Sequence, residues 1–455
     1  MLSIEQIIFL TFFLLSIGFP VAHCIHCLPL YKKRSERVFH KDAKEKGISI
    51  IVPCYNEEGI INTSIKSMTD IKYSKAEVIY INDGSTDLTI DRLHKELLLR
   101  PVQKPTNHKL DFKKVFQLYQ SSRYPNILVA DKINGGKADA LNAGIDFASH
   151  DIVITLDADT ILTDDALHII NRTFENEKVV AAGGMAHVLQ TKNNGESKLS
   201  LLKTNLLVRA QALDFLKSFY IKKLSLSRFN GLSIISGVFG IFRRDVLIEV
   251  GGYRSTIGED IDITLNIQQY LLDKKDKKVV FLPDAVCYTE LPETFRDLFK
   301  QRVRWQKAFV DCFFYYKSFL GLRFFKNPVA FFYLFEGFLG GTLGVYIMTG
   351  LFIEGLFSGI SLFEFFLVFI AYIFIYGYIY NWIAVEMGEY YGYDFQEEDT
   401  KALLTTIIFD IYIFRFIIIF SILYGSISYF FNRKNWNKVA RTGREYLSEE
   451  DKTAA

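Results

Sequence analysis

Four short apolar runs, Ile48–Pro53, Val78–Ile81, Ile127–Asp131 and Ile152–Asp157, each break into a polar or turn-forming cluster and then into a helical period. Strands alternating with helices in this way predict a parallel sheet with crossover helices, an α/β fold. Ligands of such sheets bind beyond the carboxyl ends of the strands. The chemistry-bearing residues of this chain fall at those ends. The first run ends in Pro53-Cys54-Tyr55-Asn56-Glu57-Glu58 and the second in Asn82-Asp83-Gly84-Ser85-Thr86-Asp87. The third is followed by Asn134-Gly135-Gly136-Lys137-Ala138-Asp139-Ala140-Leu141-Asn142, and the fourth runs into Asp157-Ala158-Asp159. Any one of these clusters alone reads as turn chemistry. Four on consecutive strand ends point to a site.

Asp157 and Asp159 stand at i and i+2, so a strand end and its turn can aim both carboxylates at one point. Such a pair suits a hard divalent cation, which would neutralise a diphosphate. Asp83 can accept hydrogen bonds from a base or ribose, and Gly84 lets the backbone come close to a ligand. Tyr55 offers a flat face to a base. Gly135-Gly136-Lys137 at a helix start offers backbone donors, a positive dipole end and a point charge for phosphate. The stretch Leu97–Asn126, with Pro101, Pro105 and Tyr124-Pro125, is longer than the usual connection of about six residues. It reads as a surface insertion without chemistry.

Downstream, Ser236-Gly237-Val238-Phe239-Gly240-Ile241-Phe242-Arg243-Arg244 leads through Gly251-Gly252-Tyr253 to Gly258-Glu259-Asp260. A carboxylate pair after a Gly-rich turn suits a general base, with helix capping by Asp260 as the alternative. Gln301-Arg302-Val303-Arg304-Trp305 then falls in a helix whose stripe of Phe295, Leu298, Phe299, Val303, Phe309, Val310 and Phe313 suits a membrane surface. Gln301, Arg304 and Trp305 share one face at i, i+3 and i+4. They combine an amide for hydroxyls, a cation for phosphate and an indole for stacking on a sugar. An interfacial tryptophan anchor is the simpler alternative.

Apolar segments set the compartment. Ile4 to about Leu30 exceeds the ~20 residues a span needs, and Lys32-Lys33-Arg34 after it predict a cytoplasmic end. The order of basic and apolar residues speaks against a cleaved signal peptide. Val329 to about Val385 holds enough apolar length for two more spans. Leu403–Phe431 makes another and carries Asp410 and Arg415, which can pair across its turns. One span before the soluble middle and three after it would put the basic tail (Arg433, Lys434, Lys438, Arg441, Arg444) outside, against the positive-inside rule. A net charge of +2 over 455 residues speaks against a nucleic-acid partner, and aromatics at 15% suit a protein meeting lipid or sugar. The five cysteines imply no disulfide framework. His23-Cys24-Ile25-His26-Cys27 reads as the end of an apolar helix in preference to a metal knot.

The ordered set Pro53–Glu58, Asp83, Asp157-Ala158-Asp159, Gly258-Glu259-Asp260 and Gln301-Arg302-Val303-Arg304-Trp305 resembles the processive family 2 glycosyltransferases. These are the membrane synthases of cellulose, chitin, hyaluronan and poly-N-acetylglucosamine. The resemblance spans about residues 45 to 310 and the flanking apolar helices, and the Asn134–Asn142 block looks like the bacterial members. It implies a GT-A fold with flanking transmembrane helices, a UDP-sugar donor, Mg²⁺ or Mn²⁺, and inversion at the anomeric carbon. By matching motif, Tyr55, Glu57, Asp83 and Lys137 would bind the donor, with Asp83 on the uridine. Asp157 and Asp159 would hold metal and diphosphate, and Asp260 would be the general base. Gln301, Arg304 and Trp305 would bind the acceptor sugar and the leaving diphosphate. Where the family has Thr-Glu-Asp, this chain has Gly258-Glu259-Asp260. It also lacks a clear Phe-x-Val-Thr gating loop and a PilZ-like domain, which argues against cyclic-dinucleotide control.

These observations predict a cell-membrane, multi-pass enzyme with a cytoplasmic catalytic domain. The expected organisation is a transmembrane helix over 1–31, a glycosyltransferase domain over 45–292, interfacial helices over 293–326, transmembrane helices over 327–432 and a polar tail over 433–455. Its expected partners are the UDP-sugar (UDP-N-acetylglucosamine or UDP-glucose), the growing polysaccharide and the bilayer, with a small auxiliary membrane subunit left open. A transferase loading one sugar onto a lipid phosphate or glycolipid is the nearest alternative. An inactive scaffold is the more distant one, disfavoured by the intact aspartates.

Overall fold

The computed structural model describes residues 4–28, 44–105, 109–192, 201, 204–358, 362–393 and 399–432. These form two compact units, one from residues within 44–189 and 233–290, the other from residues within 4–28, 190–232 and 291–432. The basic cluster Lys32-Lys33-Arg34 and the basic tail lie outside the described residues.

The first unit is built on one sheet of ten strands: β1 (Ile48–Cys54), β2 (Ala76–Asn82), β3 (Leu99–Val102), β4 (Val115–Ser121), β5 (Ile127–Lys132), β6 (Ile152–Leu156), β7 (Ile161–Leu162), β8 (Val179–Val188), β9 (Phe239–Arg243) and β10 (Lys278–Thr289). Their order is β3-β4-β5-β2-β1-β6-β9-β8-β10-β7. The four expected runs are its parallel heart, β5-β2-β1-β6. They are apolar without alternation because both faces are covered, as in parallel sheets generally. Ile50, Ile51, Val78, Ile79, Val129 and Ile154 are fully buried.

Beyond that heart the expected parallel sheet becomes a mixed one. β9 runs antiparallel to both β6 and β8, and β10 returns parallel to β8. The presumed insertion at Leu97–Asn126 contains the hairpin β3–β4, which extends the sheet antiparallel to β5. The antiparallel hairpin β3–β4 needs no crossover helix, so it lacks the strand–helix alternation that marks the rest. Part of the Gly-rich run Ser236–Arg244 is itself strand β9.

The second unit is helical. Its segment 190–232, expected within the 45–292 domain, groups here with the apolar helices. The helix Leu206–Leu216 shares a core with the helix Phe295–Tyr315 and the last apolar helix through Leu207, Ala210, Leu298, Phe409 and Phe414. Among the described residues three helices are long and apolar enough to cross a membrane: Ile4–Cys27, Pro328–Glu354 and Thr400–Phe431. They associate the chain with a membrane. A further helix, Leu362–Tyr390, is 29 residues long.

The expected Asp410–Arg415 pair is present at 3.7 Å, but it is the weaker half of a larger group. Lys217 lies 2.7 Å from Asp410, and Asn381 donates to the same carboxylate at 2.9 Å. Buried charges among apolar helices persist only when paired and hydrogen-bonded. At the end of the first helix His23 contacts Ser225 at 2.8 Å and Glu336 at 3.1 Å.

Candidate active site

The ends of β1 and β2 are locked together before any ligand arrives. The Asp83 N–H donates to the Cys54 carbonyl at 2.9 Å, the Asn56 N–H to the Ser85 hydroxyl at 3.0 Å, and the Glu57 N–H to the Thr89 hydroxyl at 2.8 Å. Tyr55 and Glu57 are half-buried on this double loop. Gly84 sits at φ +67°, and a Cβ there would lie 2.8 Å from the Asn134 nitrogen. Only glycine fits this close crossing of two loops.

Asp83 is buried, and its carboxylate is the centre of a network. It accepts from Lys132 Nζ at 2.6 Å and from the N–H groups of Gly135 at 2.9 Å and Gly136 at 2.8 Å. The donors of the glycine pair therefore face a carboxylate of the protein. Lys132, which closes β5, is fully buried and also pairs with Asp139. A lysine is buried only when its charge is matched, and two carboxylates match it here. Nothing in the sequence singled out Lys132. The available signal was a lysine directly following an apolar strand.

Lys137 opens the helix Lys137–Phe147. Its Nζ lies 2.7 Å from Asp157 and 3.0 Å from Glu259, a cation bridging an expected site carboxylate and one that had been given no role of its own. Burial works against its charge, but Asp157 and Glu259 outweigh burial and raise its pKa. Asp159 is half-buried beyond β6, and the Thr160 hydroxyl contacts it at 3.3 Å. Asp260 lies one residue beyond Glu259 in the first turn of the helix Glu259–Tyr270. It does not serve as the helix cap, a place taken by Gly258. It accepts instead from the N–H groups of Gly237 at 3.2 Å and Ile261 at 2.8 Å. A Cβ at Gly237 would stand 3.2 Å from Lys137 Nζ and 3.4 Å from Asp260, so this turn closes over both residues.

The loop leading to Glu259 is fixed from two sides. The buried Asn142 accepts from the Tyr253 N–H at 2.7 Å and donates to its carbonyl at 2.9 Å. Arg254 holds the buried Asp262 through two nitrogens, at 2.8 and 2.6 Å. Asn142, Arg254 and Asp262 were not foreseen as contributors. They join residues far apart in the chain, which spacing does not reveal.

Desolvation first, then the charge of Glu259, raises the Asp260 carboxyl above the ordinary range, with Lys137 and two N–H groups pulling the other way. A base works unprotonated, so a rate carried by Asp260 falls as pH drops through this raised pKa. The acidic limb of kcat/KM is therefore expected above the ordinary aspartate value of about 3.9. Glu259→Gln removes a raising charge and should move that limb to lower pH. An unmoved limb would assign it to another group.

The oxygen donors of Asp157 and Asp159 fit a hard divalent cation, and a cationic nitrogen already lies against Asp157. Among the described residues no group of three His, Cys, Asp or Glu side chains gathers to hold a metal unaided. A cation at this pair would complete its shell from phosphate and water, as Mg²⁺ commonly does.

Gln301, Arg304 and Trp305 belong to the helical unit. The helix Phe295–Tyr315 carries them, capped by the Thr294 side chain accepting from the Asp297 N–H. Gln301 and Arg304 are half-buried and Trp305 is exposed. In the same helix Gln306 donates to Thr342 at 3.1 Å and to Ser426 at 2.9 Å.

Comparison with known proteins identifies the family. The chain is similar to a poly-beta-1,6-N-acetyl-D-glucosamine synthase of Staphylococcus epidermidis, with 31% identity over 277 residues, 60% of this chain and 57% of that protein. It is similar also to the synthase of the same description from Staphylococcus aureus, with 31% identity over 265 residues, 58% of this chain and 54% of that one. The matched region is thus little more than half the length of these relatives. In fold it is similar to the mannosyltransferase PcManGT from Pyrobaculum calidifontis, a structure in complex with GDP-Man and Mn²⁺. That likeness has a TM-score of 0.58 at 17% identity and covers 90% of this chain and 99% of the other. Residues 49–251 match the family described as glycosyl transferase family 2. Residues 152–385, more than half of the chain, match glycosyl transferase family group 2, and the chain belongs to this glycosyltransferase family.

Proposed function

We propose that this glycosyltransferase polymerises a β-linked polysaccharide from a UDP-sugar, with UDP-N-acetylglucosamine the favoured donor and UDP-glucose the second choice. The observation that carries the proposal is the gathering of Lys137, Asp157, Glu259 and Asp260 beyond the strand ends. Likeness to the staphylococcal synthases supports the choice of sugar. The complex of the structural neighbour with GDP-Man and Mn²⁺ supports a nucleotide-sugar donor and a divalent cation.

The reaction is a single displacement with inversion. Tyr55, Glu57 and Asp83 bind the nucleoside, and Lys137 supplies positive charge to the diphosphate. Asp157 and Asp159 would hold Mg²⁺ or Mn²⁺, which when bound offsets charge on the leaving group. Asp260 accepts the proton of the attacking hydroxyl. Gln301 and Trp305 hold the acceptor sugar, and Arg304 meets the leaving diphosphate.

The catalytic unit faces the cytoplasm of a multi-pass cell-membrane protein, and the helical unit passes the polymer outward. Two features of that unit support export. Tyr372, Tyr376 and Tyr380 stack in a ladder with ring centroids 5.2 Å apart at each step, a surface suited to sugar rings. The group Lys217, Asp410 and Asn381 places polar atoms inside an apolar helix bundle.

Reconstituted protein given each UDP-sugar, followed by linkage and length analysis, tests the proposal. Polymer from UDP-N-acetylglucosamine is the expected result. A single sugar on a lipid would overturn polymerisation, and turnover of neither donor would overturn the donor assignment. Trp305→Ala should reduce polymer formation more than donor hydrolysis, because stacking on a sugar ring is lost while the nucleotide pocket stands. Folded protein making polymer of full length at the original rate would remove Trp305 from the acceptor site.

A further inference from the structure

Arg302 lies between two of the residues read above as acceptor contacts, yet its side chain turns inward. One nitrogen, Nη1, pairs with Asp214 at 3.1 Å, and the Arg302 side chain is only 11% exposed. Nε and Nη2 are buried and make no hydrogen bond among the described residues. Two aromatic rings stand against this guanidinium. The guanidinium carbon lies 4.3 Å from the Trp305 ring centroid and 5.8 Å from that of Phe414. The negative faces of the two rings attract the same charge that Asp214 meets from one side. Trp305 meanwhile keeps 39% of its surface exposed.

We infer that Arg302 is a positioning residue, a pedestal that covers one face of the Trp305 indole, fixes its rotamer and leaves the opposite face open to an acceptor sugar. The inference rests on the acceptor reading of Trp305. Residues three apart on a helix are neighbours, so one turn of the helix supplies both pedestal and platform. Asp214, on the helix Leu206–Leu216, anchors the guanidinium from outside that turn. The planar guanidinium is what the role needs, because it can lie against an indole while donating in its own plane. A lysine would keep the charge and lose the plane.

The test uses full-length protein in liposomes with Trp382→Phe and Trp436→Phe, which leaves Trp305 alone of the three tryptophans. UDP-N-acetylglucosamine is the donor and a β-1,6-linked N-acetylglucosamine pentamer the acceptor. Arg302→Met and Arg302→Lys are compared, the second as the variant that can still pair with Asp214. In both, KM for the pentamer should rise about tenfold while KM for the donor moves far less. Trp305 emission should shift to the red and become easier to quench with iodide. Folded Arg302→Lys with unchanged emission and quenching overturns the pedestal, whatever its KM. Trp305→Ala, assayed in parallel, separates the two ideas. If it leaves KM for the pentamer unchanged, the acceptor reading fails, while the emission data still decide whether Arg302 holds the indole.

Discussion

Asp260→Asn is expected to lower sugar transfer by about 10²–10⁴-fold and to leave donor binding nearly intact. The amide keeps the shape of the carboxylate and can still accept from the N–H groups of Gly237 and Ile261. It cannot take a proton. Charge changes as well, because Asp260 stands beside Glu259 and near Lys137, and its raised pKa reflects burial and Glu259. Lys137 keeps its pairs with Asp157 and Glu259 in the variant, so the charge offered to a diphosphate stays in place and donor affinity should hold. Equilibrium binding of UDP-N-acetylglucosamine and single-turnover transfer, measured on the same preparation, separate the two effects. Equal loss of binding and rate would make Asp260 a structural residue of the helix start.

Asp159→Ala should reduce transfer below detection and remove the metal-dependent part of UDP binding. Of the two expected metal-binding carboxylates, Asp157 is engaged by Lys137 at 2.7 Å. A cation held by this pair would share Asp157 with Lys137, and without Asp159 that shared carboxylate alone would be a poor site for it. The check is UDP binding with and without Mg²⁺ or Mn²⁺, measured by calorimetry. Near-normal turnover, or UDP affinity that still rises with metal, would refute the assignment. Metal-independent binding through the β1 and β2 ends should persist in the variant, because that double loop is closed by its own hydrogen bonds.

The heart of the sheet was legible, and with it the candidate site at its strand ends, because buried parallel strands write themselves as unbroken apolar runs. The carboxylates that follow such runs stand out against them, although Asp83 turns out to hold its own loops together. β8 was not legible. Its sequence Val-Val-Ala-Ala-Gly-Gly-Met-Ala-His-Val has small residues and no alternation, yet all ten residues are buried. β10 is broken by a register shift between Leu282 and Val286, around Pro283, and a broken strand gives no clean period. The partners that set the site's electrostatics were also hidden. Lys132 and Arg302 carried no role in the sequence reading, and only the fold supplies Asp83, Asp139, Asp214 and two aromatic rings as their surroundings. Asn142 was visible as part of a motif, but its grip on Tyr253 spans 111 residues.

The excursion of residues 190–232 from between β8 and β9 into the helical unit bears on how the enzyme can be handled in the laboratory. Deleting the apolar helices at both ends of the chain is not expected to yield a water-soluble catalytic fragment. It leaves the helix Leu206–Leu216 without its packing partners and exposes Leu207, Leu213 and Leu216, all buried in the intact protein. Such a sticky surface favours aggregation. A soluble fragment calls for replacing the excursion with a short linker between β8 and β9. That pair is already hydrogen-bonded antiparallel, as the two arms of a hairpin would be.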